Sequence, residues 1–127
     1  MLAAHPPGDC DVDPDRLAEL AGLLDSAGRS MLPKLIEAYL QTAESSVADL
    51  RAAGEAGNTE GIRGAAHRML GSSLSFGIIG VARVARILDE EARTGSTEGS
   101  LTLIGRLEAA VAMLRATLLL TAEERAS

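Results

Sequence analysis

Apolar residues recur along this chain in steps of three and four, and no stretch alternates with period two long enough to suggest a sheet. Asp13 followed by Pro14 marks a helix start, because Asp caps free amides and Pro is tolerated in the first turn. A short helix over about 14–25 follows, with Leu17, Leu20 and Leu24 on one face and Gly28 ending the segment. Ser30 caps a second helix with Pro33 in its first turn. Leu32, Leu35, Ile36, Tyr39, Ala43, Val47 and Leu50 make it amphipathic over about six turns, and Gly54 and Gly57 close it. Asn58 caps a third helix running to about Ser75, and Phe76-Gly77 forms a break. A fourth helix, about 78–94, turns Ile78, Val81, Ala82, Ala85, Leu88 and Ala92 inward and Arg83, Arg86, Glu90 and Arg93 outward. Gly95 to Gly99 is a loop of small polar residues. The last helix, about 100–123, carries Ile104, Leu107, Val111, Leu114 and Leu118, with Glu123, Glu124 and Arg125 as a solvated end.

These elements predict an all-α fold: an antiparallel four-helix bundle with an additional short N-terminal helix. The bundle is expected to span 13–124. Residues 1–12 show no periodicity and read as a flexible tail or linker remnant, with His5 solvated in it.

Composition narrows the class. The chain has 127 residues, enough for one packed core without staples. Aromatics make up 2% and the apolar fraction is 46%, mostly Ala and Leu, which favours helices over strands. Cys10 is the only cysteine, so no intrachain disulfide forms, as suits a reducing compartment. No apolar run approaches the ~20 residues needed to span a bilayer, and the first residues lack the pattern of a signal peptide. The expected location is therefore cytoplasmic, with no direct membrane insertion. The net charge of −6 argues against nucleic-acid binding.

The third helix is the unusual one. Gly61, Gly64 and Gly71 lie in its interior, and each costs up to about 1 kcal/mol relative to Ala. Positions 60, 63, 64, 67, 70, 71 and 74 share one face. On it, Gly64 and Gly71 stand one turn before and one turn after His67. Ile62, Ala65, Ala66, Met69, Ser73 and Phe76 form the core-directed face. His67 is thus expected to project into solvent with open space on either side, so that a partner can bring a reactive group to the imidazole.

The run Ala66-His67-Arg68-Met69-Leu70-Gly71-Ser72-Ser73, with Gly77 a little later, resembles the signature of histidine phosphotransfer domains of two-component phosphorelays. The resemblance covers about residues 14–120. The long helix before Asn58 resembles the family's usual lead-in, and Ala82, Ala85, Leu88 and Glu90-Glu91-Ala92 fit its next helix. It implies that His67 is the phosphoacceptor, taking a phosphoryl group from a receiver-domain aspartate and passing it to another receiver or back. It also implies that the outward Nε2 is the attacking atom. Histidine can serve as a covalent nucleophile, and its ordinary pKa near 6.5 leaves a large neutral fraction at neutral pH. Transfer passes through a loose in-line state, so positioning and electrostatics do most of the catalysis. The receiver, with its Mg²⁺, is expected to supply most of both.

One position departs from the family. Leu70 stands where lysine is common, three residues after the histidine, and that lysine helps to hold the phosphoryl group. Arg63, on the His67 face, or Arg83 and Arg86 on the next helix, are the candidates to replace its charge. Arg68 points about 100° away around the helix. Leu70 is alternatively an exposed apolar docking contact. The candidate phosphate-holding or docking residues are thus Arg63, Gly64, Arg68, Leu70, Gly71, Arg83 and Arg86.

No glycine-rich nucleotide loop is present, and the two histidines and one cysteine are not at metal-ligand spacing. The chain is therefore expected to be a carrier rather than an enzyme, with no ATP site, metal or cofactor of its own, and to be a monomer. Ser72 and Ser73 are read as packing or back-bonding to the helix rather than as nucleophiles. Two other classes remain open. One is a bundle that docks receivers or other signalling partners without carrying phosphate. The other is the dimerising helical part of a sensor kinase. That part carries an acidic residue directly after its histidine and a proline one turn on, whereas Arg68 follows here and no proline is near. As a module of a hybrid sensor kinase, the chain would belong to a parent that can be anchored in the inner membrane.

Overall fold

The computed structural model describes residues 8–126. In chain order these form α1 (Pro14–Ala21), α2 (Leu32–Glu55), α3 (Thr59–Phe76), α4 (Ile79–Arg93) and α5 (Ser100–Ala126). Helix α2 packs against α3 and α5, and α4 packs against α3 and α5, so the four long helices close a ring around one core. The result is the antiparallel bundle that the periodicity predicts.

The apolar stripes explain the packing. Leu32, Ile36, Tyr39, Leu40, Ala43 and Leu50 of α2 are buried against Ile62, Ala65, Ala66 and Met69 of α3. Val81, Val84, Ala85 and Leu88 of α4 and Ile104, Leu107, Val111 and Leu114 of α5 complete the core. Each large side chain removed from water contributes roughly 1.5–3 kcal/mol, the main term holding the bundle. Tyr39 is the one buried phenol. Its hydroxyl lies 2.8 Å from that of Ser73, and burial pushes its pKa up to about 12. That bond ties α2 to the inner face of α3.

The helix ends follow local chemistry. Asp13 accepts from the amides of Asp15 and Arg16 at the start of α1, and Asn58 accepts from Gly61 N at the start of α3. Gly77 ends α3 with a left-handed φ of 73°, a conformation glycine adopts at no steric cost. The α3–α4 turn is held there by Asp13 N donating to Gly77 O and Arg16 Nε donating to Ser75 O. Helix α1 thereby covers this end of the bundle, burying Leu17 and Leu20.

Three expectations change. Helix α1 stops at Ala21, not near residue 25. Asp25 accepts from the amides of Ala27 and Arg29 at 2.8 and 3.0 Å, and this tight loop replaces the last predicted turn. Leu24 is consequently 60% exposed instead of facing the core. Gly54 lies inside α2, and Gly57, with φ 64°, follows its end. The third change concerns the predicted tail. Residues 1–7, His5 among them, lie outside the described residues, but residues 8–12 pack onto the bundle. Asp9 is buried and forms a two-bond ion pair with Arg106 at 2.8 and 3.1 Å. Gly80 N donates to Asp11 O, and a Cβ on Gly80 would collide with the carbonyl oxygen of Gly8. A small residue in α4 thus admits a segment that has no periodicity of its own. Among the described residues no helix is long and apolar enough to cross a membrane.

Candidate phosphotransfer site

The site is built on the middle of α3. Ile62, Ala65, Ala66, Met69 and Ser73 are buried, which fixes the rotation of the helix and turns His67 outward. His67 is exposed, and so are Gly64 and Gly71. A Cβ on Gly71 would meet nothing within 4 Å, and one on Gly64 would meet only an arginine tip at 3.6 Å, Arg68 Nη1. Neither glycine is required by packing inside the chain. Gly61 is different: a Cβ there would lie 2.8 Å from Asn58 Nδ2 and 3.0 Å from Ala53 Cβ, so it serves the contact with α2.

Side chains around His67 come from two helices. A shallow depression is lined by Glu60, Arg63, Gly64 and His67 of α3 and by Asp89 and Arg93 of α4. Asp89 is buried, and its two oxygens face two arginines. Oδ1 is 3.9 Å from Arg63 Nε, and Oδ2 accepts from Arg93 Nη2 at 3.4 Å. Arg63 Nη1 also lies 3.5 Å from Glu60, one turn earlier. Arg63 Nε is buried and has no hydrogen-bond partner.

The other candidates are dispersed. Arg68 donates to Asp49 of α2 at 3.1 Å and lines a second depression on the far side of Gly64. Arg83 is drawn to the N-terminal segment, where it lies 3.4 Å from Gly8 O and 3.9 Å from Asp11. Arg86 is exposed on α4, on the stripe that leads to Arg93, and does not line the His67 depression. Leu70, read from the sequence as exposed, is half-buried and packs on the core. The exposed leucine on this face is Leu74, one turn further on. Ser72 back-bonds to Met69 O and Ser73 meets Tyr39, so both hydroxyls are engaged within the bundle. Asp89 and Arg93 are the site residues that sequence reasoning passed over. Their signal was an Asp–Arg pair at i, i+4, with the acid on the inward edge of an otherwise apolar stripe.

Residues 34–117, more than half of the chain, match the Hpt domain family. The chain belongs to the Hpt domain family. No curated protein matches it. Among solved structures, it is similar to the crystal structure of histidine-containing phosphotransfer protein B (HptB) from Pseudomonas aeruginosa PAO1. The identity is 28% and the TM-score 0.78, covering 97% of this chain and 96% of that one. This Hpt domain is a histidine phosphotransfer module of phosphorelays, a class of phosphoryl carriers rather than kinases that works with receiver domains of response regulators. Among the described residues no group of His, Cys, Asp and Glu is arranged to hold a metal ion.

Proposed function

We propose that this Hpt domain accepts a phosphoryl group on His67 from the aspartyl phosphate of a receiver domain and returns it to the same or another receiver. One observation carries the reading. The imidazole is exposed at mid-helix between two glycines whose missing side chains leave open space. A receiver must bring its aspartyl phosphate within bonding reach of a ring nitrogen, and a β-carbon one turn away on either side would stand in its path. The helix forgoes about 1 kcal/mol at each glycine to keep that approach clear.

In the reaction the Nε2 lone pair of neutral His67 attacks phosphorus. The Nε2–P bond forms as the acyl phosphate O–P bond breaks, the receiver carboxylate leaves, and Nδ1 keeps its proton. The receiver brings the Mg²⁺ that balances the phosphoryl charge, and this domain brings the nucleophile and the access. Exposed Leu74, two turns further along the same helix face, supplies apolar surface for the docked receiver. Incubation with a receiver carrying labelled aspartyl phosphate tests the assignment. Label moves to the wild-type domain and not to His67→Gln. Label that never moves, or that reaches His67→Gln equally, contradicts it and leaves a docking module.

A further inference from the structure

The family's lysine is replaced by Leu70, and Leu70 is half-buried, so the charge that would hold the phosphoryl group has to come from elsewhere. The arginines divide by their partners, and Arg93, which also lines the depression, is bonded to Asp89 Oδ2. Arg68 is bound to Asp49 on the other side of Gly64, and Arg83 is held at the N-terminal segment. Arg63 shares the depression with His67 and stands one helical turn before it, where Cβ atoms are ~5–6 Å apart. Its ion pairs are loose, at 3.5 Å to exposed Glu60 and 3.9 Å to Asp89, and its buried Nε has no hydrogen-bond partner. A guanidinium carries five donors, and here they are under-used.

We propose that Arg63 is the cation that holds the phosphoryl group on His67, and that Asp89 is the positioning residue that keeps Arg63 over the site. This deepens the reading of His67 as phosphoacceptor and rests on it. Asp89 suits the task because it is buried and faces two cations. With the site empty, its Oδ1 draws Arg63 toward α4. When a phosphoryl dianion appears on Nε2, it competes for the same guanidinium at shorter range and offers up to three oxygens to the planar fork. Asp89 retains Arg93 on Oδ2, so moving Arg63 does not leave a buried carboxylate unpaired. Glycine at position 64 leaves the space beside Arg63 and His67 free of a side chain.

Potassium phosphoramidate, a small donor that needs no receiver, separates this proposal from the one it rests on. Its P–N bond breaks, ammonia leaves, and the Nε2–P bond forms. Wild type, Arg63→Gln, Arg63→Lys, Asp89→Asn and His67→Gln are loaded, and the ³¹P resonance of each product is titrated with pH. Arg63 is 42% exposed, so its variants fold. Loss of one charge-assisted bond at a partly solvated site slows loading of Arg63→Gln about tenfold. The phosphoryl titration midpoint rises, because a nearby cation favours the dianion. Arg63→Lys restores most of both. Asp89→Asn slows loading by a smaller factor and slows it no further in the Arg63→Gln background, a non-additivity that a purely structural role would not give. If Arg63→Gln loads and titrates like wild type, Arg63 does not hold the phosphoryl group, though His67 remains the acceptor. His67→Gln that takes phosphate as readily as wild type overturns both proposals.

Discussion

The outward face of α3 and the seam between α2 and α5 are built from the same residue types. Both are solvent-facing, and both combine arginine, carboxylates and glycine. At the seam these residues are committed. Arg115 makes two bonds to Glu37 and two to Glu44, the closest at 2.5 Å, and Arg51 makes two to Glu108. Gly54 is closed over by α5, where a Cβ would lie 2.7 Å from Ile104 Cδ1. On α3 Arg68 is bonded to Asp49, but beside His67 the pairing is loose and the glycines are uncovered. Arg63 has no bond at all from its buried Nε, and Gly71 has nothing within 4 Å. The difference separates residues that hold the bundle together from residues kept available for a partner. Composition alone cannot make that distinction.

Substitution at the two glycines breaks or confirms the comparison most directly. Gly54→Ala should lower unfolding free energy by about 1–3 kcal/mol in urea, since Ile104 is fully buried and has nowhere to move. Gly71→Ala should raise stability by up to about 1 kcal/mol, through helix propensity with no clash. Transfer from a receiver should nevertheless slow, and Gly71→Gln should slow it further. A Gly71→Ala protein that is less stable, or that transfers at the wild-type rate, would mean that the space is not held open for a partner.

A smaller effect tests the seam. The Arg51 guanidinium, bonded to Glu108, holds that carboxyl below its ordinary range, and Arg115 does the same to Glu37. A carboxyl whose folded pKa is depressed stabilises the fold above its unfolded pKa, and that contribution is lost as pH falls through the folded value. Wild type should therefore exceed Glu108→Gln in stability at neutral pH by up to about 1 kcal/mol, given the exposure of the pair. The gap should close below roughly pH 4. A gap that persists in acid would assign the effect to packing rather than charge.

Most of the bundle was legible because long stripes with 3.6-residue periodicity override local ambiguity. The inward positions of α3 and α4 are buried as the pattern implies. What failed was local. Leu24 continues the Leu17–Leu20 spacing, but the helix stops at Ala21 with Gly22 as its cap, and the side chain of Asp25 holds the amides of Ala27 and Arg29 in a loop instead. Residues 8–12 carry no periodicity, and their docking depends on Gly80 and Arg106, far away in sequence. In the site, His67, Gly64 and Gly71 could be found because they lie on one helix. Asp89 carried only the signal of its i, i+4 pair with Arg93, because its place at the site depends on the contact between α3 and α4. Leu70 was misread as exposed, because its position borders the core stripe and only packing decides the side.

Phosphoryl transfer to this domain turns on His67 and its Nε2. ³¹P–¹H correlation on domain phosphorylated by a receiver, with the site mapped by mass spectrometry at neutral pH, tests it most directly. The expected spectrum shows a single phosphoryl group, coupled to the ring protons of His67 in the pattern of an Nε2 linkage. Phosphate found on any other residue, or no phosphate on a folded domain that binds the receiver, would contradict it.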